Sequence, residues 1–183
     1  MRITGGFLKN QVLKTPKGDR TRPTSEKLRQ SVFNIAQAYV ENCTFLDLYA
    51  GSGAMGLEAI SRGAKEAIFI EKDRSALKTL RENIIELELS PLTTLIAGDV
   101  LLVLKRLKGK TFDLIYIDPP YEKGLQEKTL VLIDTLRLLH AGGLLFVEES
   151  AQKELEIPSL ETMQLQKKRK VGSTFLYQFQ GIL

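Results

Sequence analysis

Asp118-Pro119-Pro120-Tyr121 directly follows the apolar run Phe112 to Ile117 and carries the most specific chemistry in the 183-residue chain. An exocyclic amine on a heteroaromatic ring is a poor nucleophile, because its lone pair is delocalised into the ring. Acceptors that hold its protons turn that lone pair outward, and the Asp118 carboxylate and Pro119 carbonyl are two such acceptors. Consecutive prolines fix φ and remove N–H donors, which leaves a stiff, acceptor-lined wall. Tyr121 adds a ring face on which a splayed-out base stacks. Attack of the nitrogen on an activated carbon is then mainly a matter of positioning.

A second group lies earlier in the chain. Gly51-Ser52-Gly53-Ala54-Met55-Gly56 sits between an apolar run and a segment of helical period, the setting in which a GxGxxG turn brings backbone close to a nucleotide. Glu71 comes 20 residues after Gly51, where a carboxylate accepts from ribose hydroxyls. These residues fit a nicotinamide enzyme and an S-adenosylmethionine enzyme equally well. Asp99, in Gly98-Asp99-Val100, suits an adenine-type amine and suits a helix N-cap as well.

The elements that must position these groups read as βαβ units. From Thr44 onward short β-rich runs alternate with longer helical periods, the pattern of a parallel sheet. Strands are expected at Thr44 to Tyr49, Ala67 to Ile70, Leu92 to Ile96, Phe112 to Ile117 and Leu144 to Glu148. Helices are expected from the glycine turn to Gly63, after an Asp73 cap, at Val100 to Leu107 and around Gln126 to Leu139. Met163 to Lys168 and Thr174 to Phe179 read as a hairpin turning at Arg169 to Ser173, which adds an antiparallel edge. Upstream, Met1 to Thr15 suits a small hairpin, and Pro23 and Thr24 open a helix with Thr24 as its cap. One domain over 1–183 is expected, its first 43 residues a basic hairpin and helix and 44–183 a Rossmann-like core.

Composition narrows the classes further. With 26% charged and 43% hydrophobic residues the chain lacks the signature of disorder, and its apolar runs fall far short of the ~20 residues of a membrane span. A soluble cytoplasmic protein is expected. One Cys and one His exclude disulfide stapling and a multi-Cys zinc site, so no metal is expected. Cys43 reads as a small residue near the core, and His140 as a partner of helix-end carbonyls. Residues 1–44 hold 8 basic and 3 acidic side chains, 45–150 hold 13 and 16, and 151–183 hold 5 and 3. Basic ends around a slightly acidic middle fit a polyanionic partner. Arg20, Arg22, Lys27 and Arg29 at one end, and Lys167, Lys168, Arg169 and Lys170 at the other, are placed to hold phosphates without reading sequence.

The string Asp47-Leu48-Tyr49-Ala50-Gly51-Ser52-Gly53, with Glu71, Asp99 and Asp118-Pro119-Pro120-Tyr121, resembles the class I S-adenosylmethionine-dependent methyltransferases acting on amino groups. Over nearly its whole length the chain is similar to the RsmD family, which methylates guanine N2 in small-subunit ribosomal RNA. The family's signature stands here as Arg22-Pro23-Thr24, Leu28-Arg29 and Phe33-Asn34-Ile35, with Gln30 where the family usually has Glu. The resemblance implies an α/β fold with a seven-stranded, mostly parallel sheet of order 3-2-1-4-5-7-6, helices on both faces and an antiparallel C-terminal hairpin. It implies S-adenosylmethionine as donor, held by Thr24, Asp47, Tyr49, Gly51, Ser52, Gly53, Glu71, Lys72, Asp99 and Val100. Catalysis falls to Asp118, Pro119, Pro120 and Tyr121, and the partner is ribosomal RNA or the assembling small subunit, met by a monomer. Competing readings are a DNA adenine-N6 methyltransferase, which usually needs an added recognition region, a nicotinamide-dependent oxidoreductase, which leaves Asp118 to Tyr121 unexplained, and a noncatalytic RNA-binding module.

Overall fold

A computed structural model describes residues 1–16, 25–120 and 124–183. The chain forms α1 (Glu26–Ile35), β1 (Thr44–Leu48), α2 (Ala54–Ser61), β2 (Glu66–Glu71), α3 (Arg74–Glu86), β3 (Thr93–Ala97), α4 (Val100–Arg106), β4 (Phe112–Ile117), α5 (Leu125–Leu136), β5 (Leu139–Ser150), β6 (Met163–Val171) and β7 (Thr174–Gly181). The strands make one seven-stranded sheet in the order β3-β2-β1-β4-β5-β7-β6. The first five run parallel, and β7 pairs antiparallel with both β5 and β6. Alternation along each strand sends its side chains to two cores, as a sheet covered on both faces requires. Phe45, Phe69, Tyr116 and Phe146 meet α1, α2 and α3 on one face, and Leu46, Ile70, Ile115 and Val147 meet α4 and α5 on the other.

The expected hairpin at the amino terminus is present. Arg2 and Val12 form an antiparallel bridge, and Ile3 and Leu13 are buried. Glu58 of α2 ties this hairpin down, accepting from the Thr4 backbone N–H at 2.8 Å, the Thr4 hydroxyl at 2.7 Å and Arg62 Nε at 2.8 Å.

Several boundaries differ from expectation for local physical reasons. Ser25, not Thr24, caps α1 by accepting from the Leu28 N–H at 3.2 Å, and Thr24 lies outside the described residues. Helix α5 stops at Leu136 because Arg137 turns left-handed at φ 53°, and the Leu138 N–H then bonds back to the Ile133 carbonyl. His140 consequently sits in β5, exposed, with Nδ1 2.7 Å from the Ala141 carbonyl and not at a helix end. The C-terminal hairpin turns at Gly172 and Ser173 alone, with Gly172 at φ 63°. Arg169 to Val171, expected in the turn, instead pair with β7, because a cationic run is suited to a solvated edge strand. Among the described residues no helix is long and apolar enough to cross a membrane.

Candidate active site

The parallel strands deliver β1, β2 and β4 to one edge of the sheet, and the chemistry-bearing residues follow their carboxyl ends. Beyond β1 the chain makes a tight turn through Tyr49 at φ 61°, Gly51 at φ 56° and Gly53 at φ 81°. Glycine serves two purposes here. A Cβ on Gly56 would lie 2.3 Å from the Phe69 ring and one on Gly53 2.2 Å from Leu80 Cδ1, so both positions let α2 and the turn press on the core. A Cβ on Gly51 would meet nothing within 4 Å, so that backbone faces open space where a ligand can approach.

Carboxylates hold the turn in shape. Buried Asp47 accepts from the Gly56 N–H at 2.9 Å, and burial pushes its carboxyl up to about 8, with nearby Glu71 adding to the rise. Glu71, at the end of β2, accepts from the Gly51 N–H through Oε2 at 2.8 Å and from the Lys72 and Asp73 N–H groups through Oε1, both at 2.8 Å. Asn83 of α3 donates to the Ser52 carbonyl at 3.0 Å and fixes the outer rim. The Tyr49 hydroxyl meets Thr129 Oγ1 at 2.8 Å, joining the end of β1 to the first turns of α5.

Asp99 takes the helix-cap role that one of its two sequence readings gave. One oxygen caps α4 by accepting from the Leu101 N–H at 3.0 Å, and the other lies 3.9 Å from Lys72 Nζ. Both side chains are half exposed at the same edge as Gly51 and Glu71. The Val100 side chain is in the core, which leaves its backbone as the part that can face a ligand.

Asp118 is half-buried just past β4, Pro119 is buried and Pro120 is exposed, while Tyr121 lies outside the described residues. Tyr116, two residues earlier, is fully buried with its hydroxyl donating to Glu148 Oε2 at 2.7 Å. Burial together with Glu148 and Asp118 drives the Tyr116 hydroxyl well above its usual range. Glu148 and Tyr116 were absent from the expected site. A carboxylate at the end of the fifth strand was the available signal, but only the pairing of β5 with β4 makes it a neighbour of Asp118.

The basic residues separate. Arg29 is fully buried, with Nε 3.4 Å from Glu58 and Nη2 donating to the Arg2 carbonyl at 2.6 Å. This corrects its assignment to phosphate binding: it faces the interior because Leu28, Val32 and Phe33 set the buried side of α1. Burial lowers the Arg29 pKa despite the opposing charge of Glu58. Arg20 and Arg22 lie outside the described residues. On β6 the pleat divides the cationic run. Arg169 pairs with Leu176, which pairs with Glu148, so Arg169 shares the Asp118 side of the sheet. Lys168 and Lys170 take the other face, where Lys168 Nζ lies 2.5 Å from Glu154 Oε1 and 4.2 Å from the Phe175 ring centroid. Among the described residues no group of three or more His, Cys, Asp or Glu is arranged to hold a metal.

Relatives share this architecture across nearly the whole chain. Ribosomal RNA small subunit methyltransferase D of Escherichia coli K12 is 34% identical over 161 residues, covering 85% of this chain and 77% of its own. The protein of that name from Buchnera aphidicola of Acyrthosiphon pisum is 31% identical over 175 residues, covering 96% and 91%. YlbH of Bacillus subtilis is 36% identical over 162 residues, covering 86% of each chain. The solved structure of E. coli YhhF superposes with a TM-score of 0.87 at 28% identity, covering 100% of this chain and 98% of that one. The family model described as Conserved hypothetical protein 95 matches residues 1–180, and with relatives of this kind the chain belongs to that family, the RsmD methyltransferases of class I fold.

Proposed function

We propose that this chain methylates the exocyclic N2 amine of a guanine in small-subunit ribosomal RNA, working in the cytoplasm as a monomer. The observation that carries this reading is the Asp118-Pro119 turn at the end of β4, on the same sheet edge as the open Gly51 backbone and the Glu71 carboxylate. The relatives' ribosomal RNA activity supports the substrate class.

The residues fit S-adenosylmethionine. Gly51 leaves room for close approach, Glu71 is held where it can accept from ribose hydroxyls, and Asp99 presents an oxygen at the same edge for an adenine amine. Tyr49, Ser52, Gly53, Lys72 and the Val100 backbone complete the wall, with Asp47 holding the turn from beneath. Bound there, S-adenosylmethionine supplies an electrophilic methyl whose bond to sulfur breaks with the electron pair remaining on sulfur. Asp118 and the Pro119 carbonyl accept from the amine, keep the nitrogen lone pair out of ring conjugation and direct it along the line of attack. Asp118 takes the proton that nitrogen sheds and passes it to water. The stiff Pro119-Pro120 wall limits reorganisation as charge develops, and Tyr121 stacks the extruded base. Arg169, on the Asp118 side of the sheet, is placed to hold RNA phosphates, while Lys168 and Lys170 lie on the other face.

The test is methyl transfer from labelled S-adenosylmethionine to unmethylated small ribosomal subunits and to their stripped RNA, followed by nucleoside analysis. N2-methylguanosine is the expected product. Label in DNA adenine instead would overturn the assigned base while leaving the Asp118 chemistry in place, and no transfer to any nucleic acid would overturn both.

A further inference from the structure

We propose that Glu148 reads the Watson–Crick edge of the target base and selects guanine, a role that rests on the guanine N2 reaction above. Ile117 of β4 pairs with Val147 of β5, and Asp118 and Glu148 each follow that pair by one residue. Asp118 just past β4 and Glu148 within β5 therefore lie side by side at the ligand-facing edge of the sheet, with Glu148 accepting from the Tyr116 hydroxyl. Glu148 is half-buried and is oriented from two sides: Tyr116 donates to Oε2 at 2.7 Å, and the Thr174 hydroxyl donates to Oε1 at 3.3 Å. Its support comes from β4 and β7 as well as its own β5, so its position is set by rigid elements.

The chemistry of the base gives this placement its meaning. Guanine presents N1–H beside one N2–H, two parallel donors that match the two oxygens of a carboxylate. Adenine, and any purine with an unprotonated N1, presents a lone pair at that position and opposes a carboxylate. A carboxylate accepts about four hydrogen bonds, so the bonds from Tyr116 and Thr174 do not by themselves fill Glu148. Glu148 then holds N1–H and the amine proton on the N1 side, while Asp118 and Pro119 take the proton on the N3 side. The N–C bond forms as the methyl–sulfur bond breaks, the electron pair stays on sulfur, and the nitrogen's surplus proton leaves through Asp118 to water. Glu148 supplies the choice of base, and Tyr116 is a positioning residue that acts through it.

The experiment maps the methylated nucleotide and then rebuilds the substrate RNA with 2-aminopurine at that position, which keeps the 2-amine but carries a lone pair at N1. The wild-type enzyme is expected to favour guanine by about 100-fold or more in kcat/KM, the scale set by leaving a buried polar group unpaired. Glu148→Gln is expected to lower kcat/KM on guanine by about 100-fold and on 2-aminopurine by less than about threefold, since the amide N–H can donate to N1. Tyr116→Phe shifts the preference in the same direction by about tenfold. Wild type that handles the two bases equally overturns the role whatever the variants do. Parallel losses on both bases in Glu148→Gln also overturn it, because loosening of the sheet edge alone produces that result. Guanine methylation with the preference surviving Glu148→Gln removes only this role, whereas wild type that methylates another base and no guanine removes the parent reading and this one together.

Discussion

At the scale of single residues, the site divides into groups that meet the reacting atoms and groups that shape the backbone around them. In the proposed reaction Asp118 belongs to the first kind. Asp118→Ala is expected to lower kcat by about two to three orders of magnitude, the cost of losing one preorganised transition-state contact, with donor affinity in a binding titration unchanged. Asp47 belongs to the second: its carboxylate touches the Gly56 N–H and is closed off from solvent. Its folded pKa of about 8 lies above the ordinary carboxylate value, so the fold favours the protonated form. The unfolded chain releases that proton near pH 4 and the folded chain near 8, so this contribution to stability is complete below about pH 4 and is lost as pH rises to about 8. Asp47→Asn keeps an acceptor for Gly56 and removes the titration. Urea unfolding at several pH values is expected to show wild type losing stability relative to the variant across that window. Parallel pH profiles would refute the assignment.

At the scale of elements, the glycine turn presses on the core at Gly53 and Gly56 and leaves Gly51 open, the position proposed to meet the donor. Gly56→Ala places a methyl group 2.3 Å from the Phe69 ring, where the strand cannot yield without moving the core. It is expected to destabilise the protein by about 1–3 kcal/mol, read as a lower urea midpoint at unchanged m. Gly51→Ala meets no atom but must hold φ 56°, so a smaller stability loss with a clear fall in donor affinity is expected. The contrast between the two variants is the test, since equal effects on both readouts would mean that Gly51 is also a packing position. The helices were legible in outline because apolar spacing and the Asp73 and Asp99 caps lie within a few residues of one another. The end of α5 was not legible: Arg137 in a left-handed turn carries none of the glycine signal that marks such stops.

At the scale of the whole molecule, sheet order decides which charges act together. The run Lys167 to Lys170 is continuous in sequence, but the β6 pleat puts Arg169 on the Asp118 side and Lys168 and Lys170 on the opposite side. Lys168 is further engaged by Glu154 and the Phe175 ring. Arg169→Ala is accordingly expected to weaken RNA binding and to reduce the slope of log affinity against log salt by about one, with Lys168→Ala changing it less. A filter-binding titration over a salt series checks this, and an unchanged slope for Arg169→Ala would remove the phosphate role.

The sequence by itself determined the βαβ order, the glycine turn, the position of Asp118-Pro119 directly after β4 and, through its resemblance, the RsmD family. Each is carried by residues close together in the chain, where periodicity, caps and turn chemistry operate locally. The tertiary structure decided what depends on register and burial between distant segments. Arg29 looks like any surface cation in sequence, and only the approach of Glu58 and the amino-terminal hairpin makes it an interior residue. Glu148 is an ordinary strand carboxylate in sequence until β5 pairs with β4 and sets it beside Asp118. Strand register is fixed by which faces the helices cover, a property of the assembled sheet that no single segment contains.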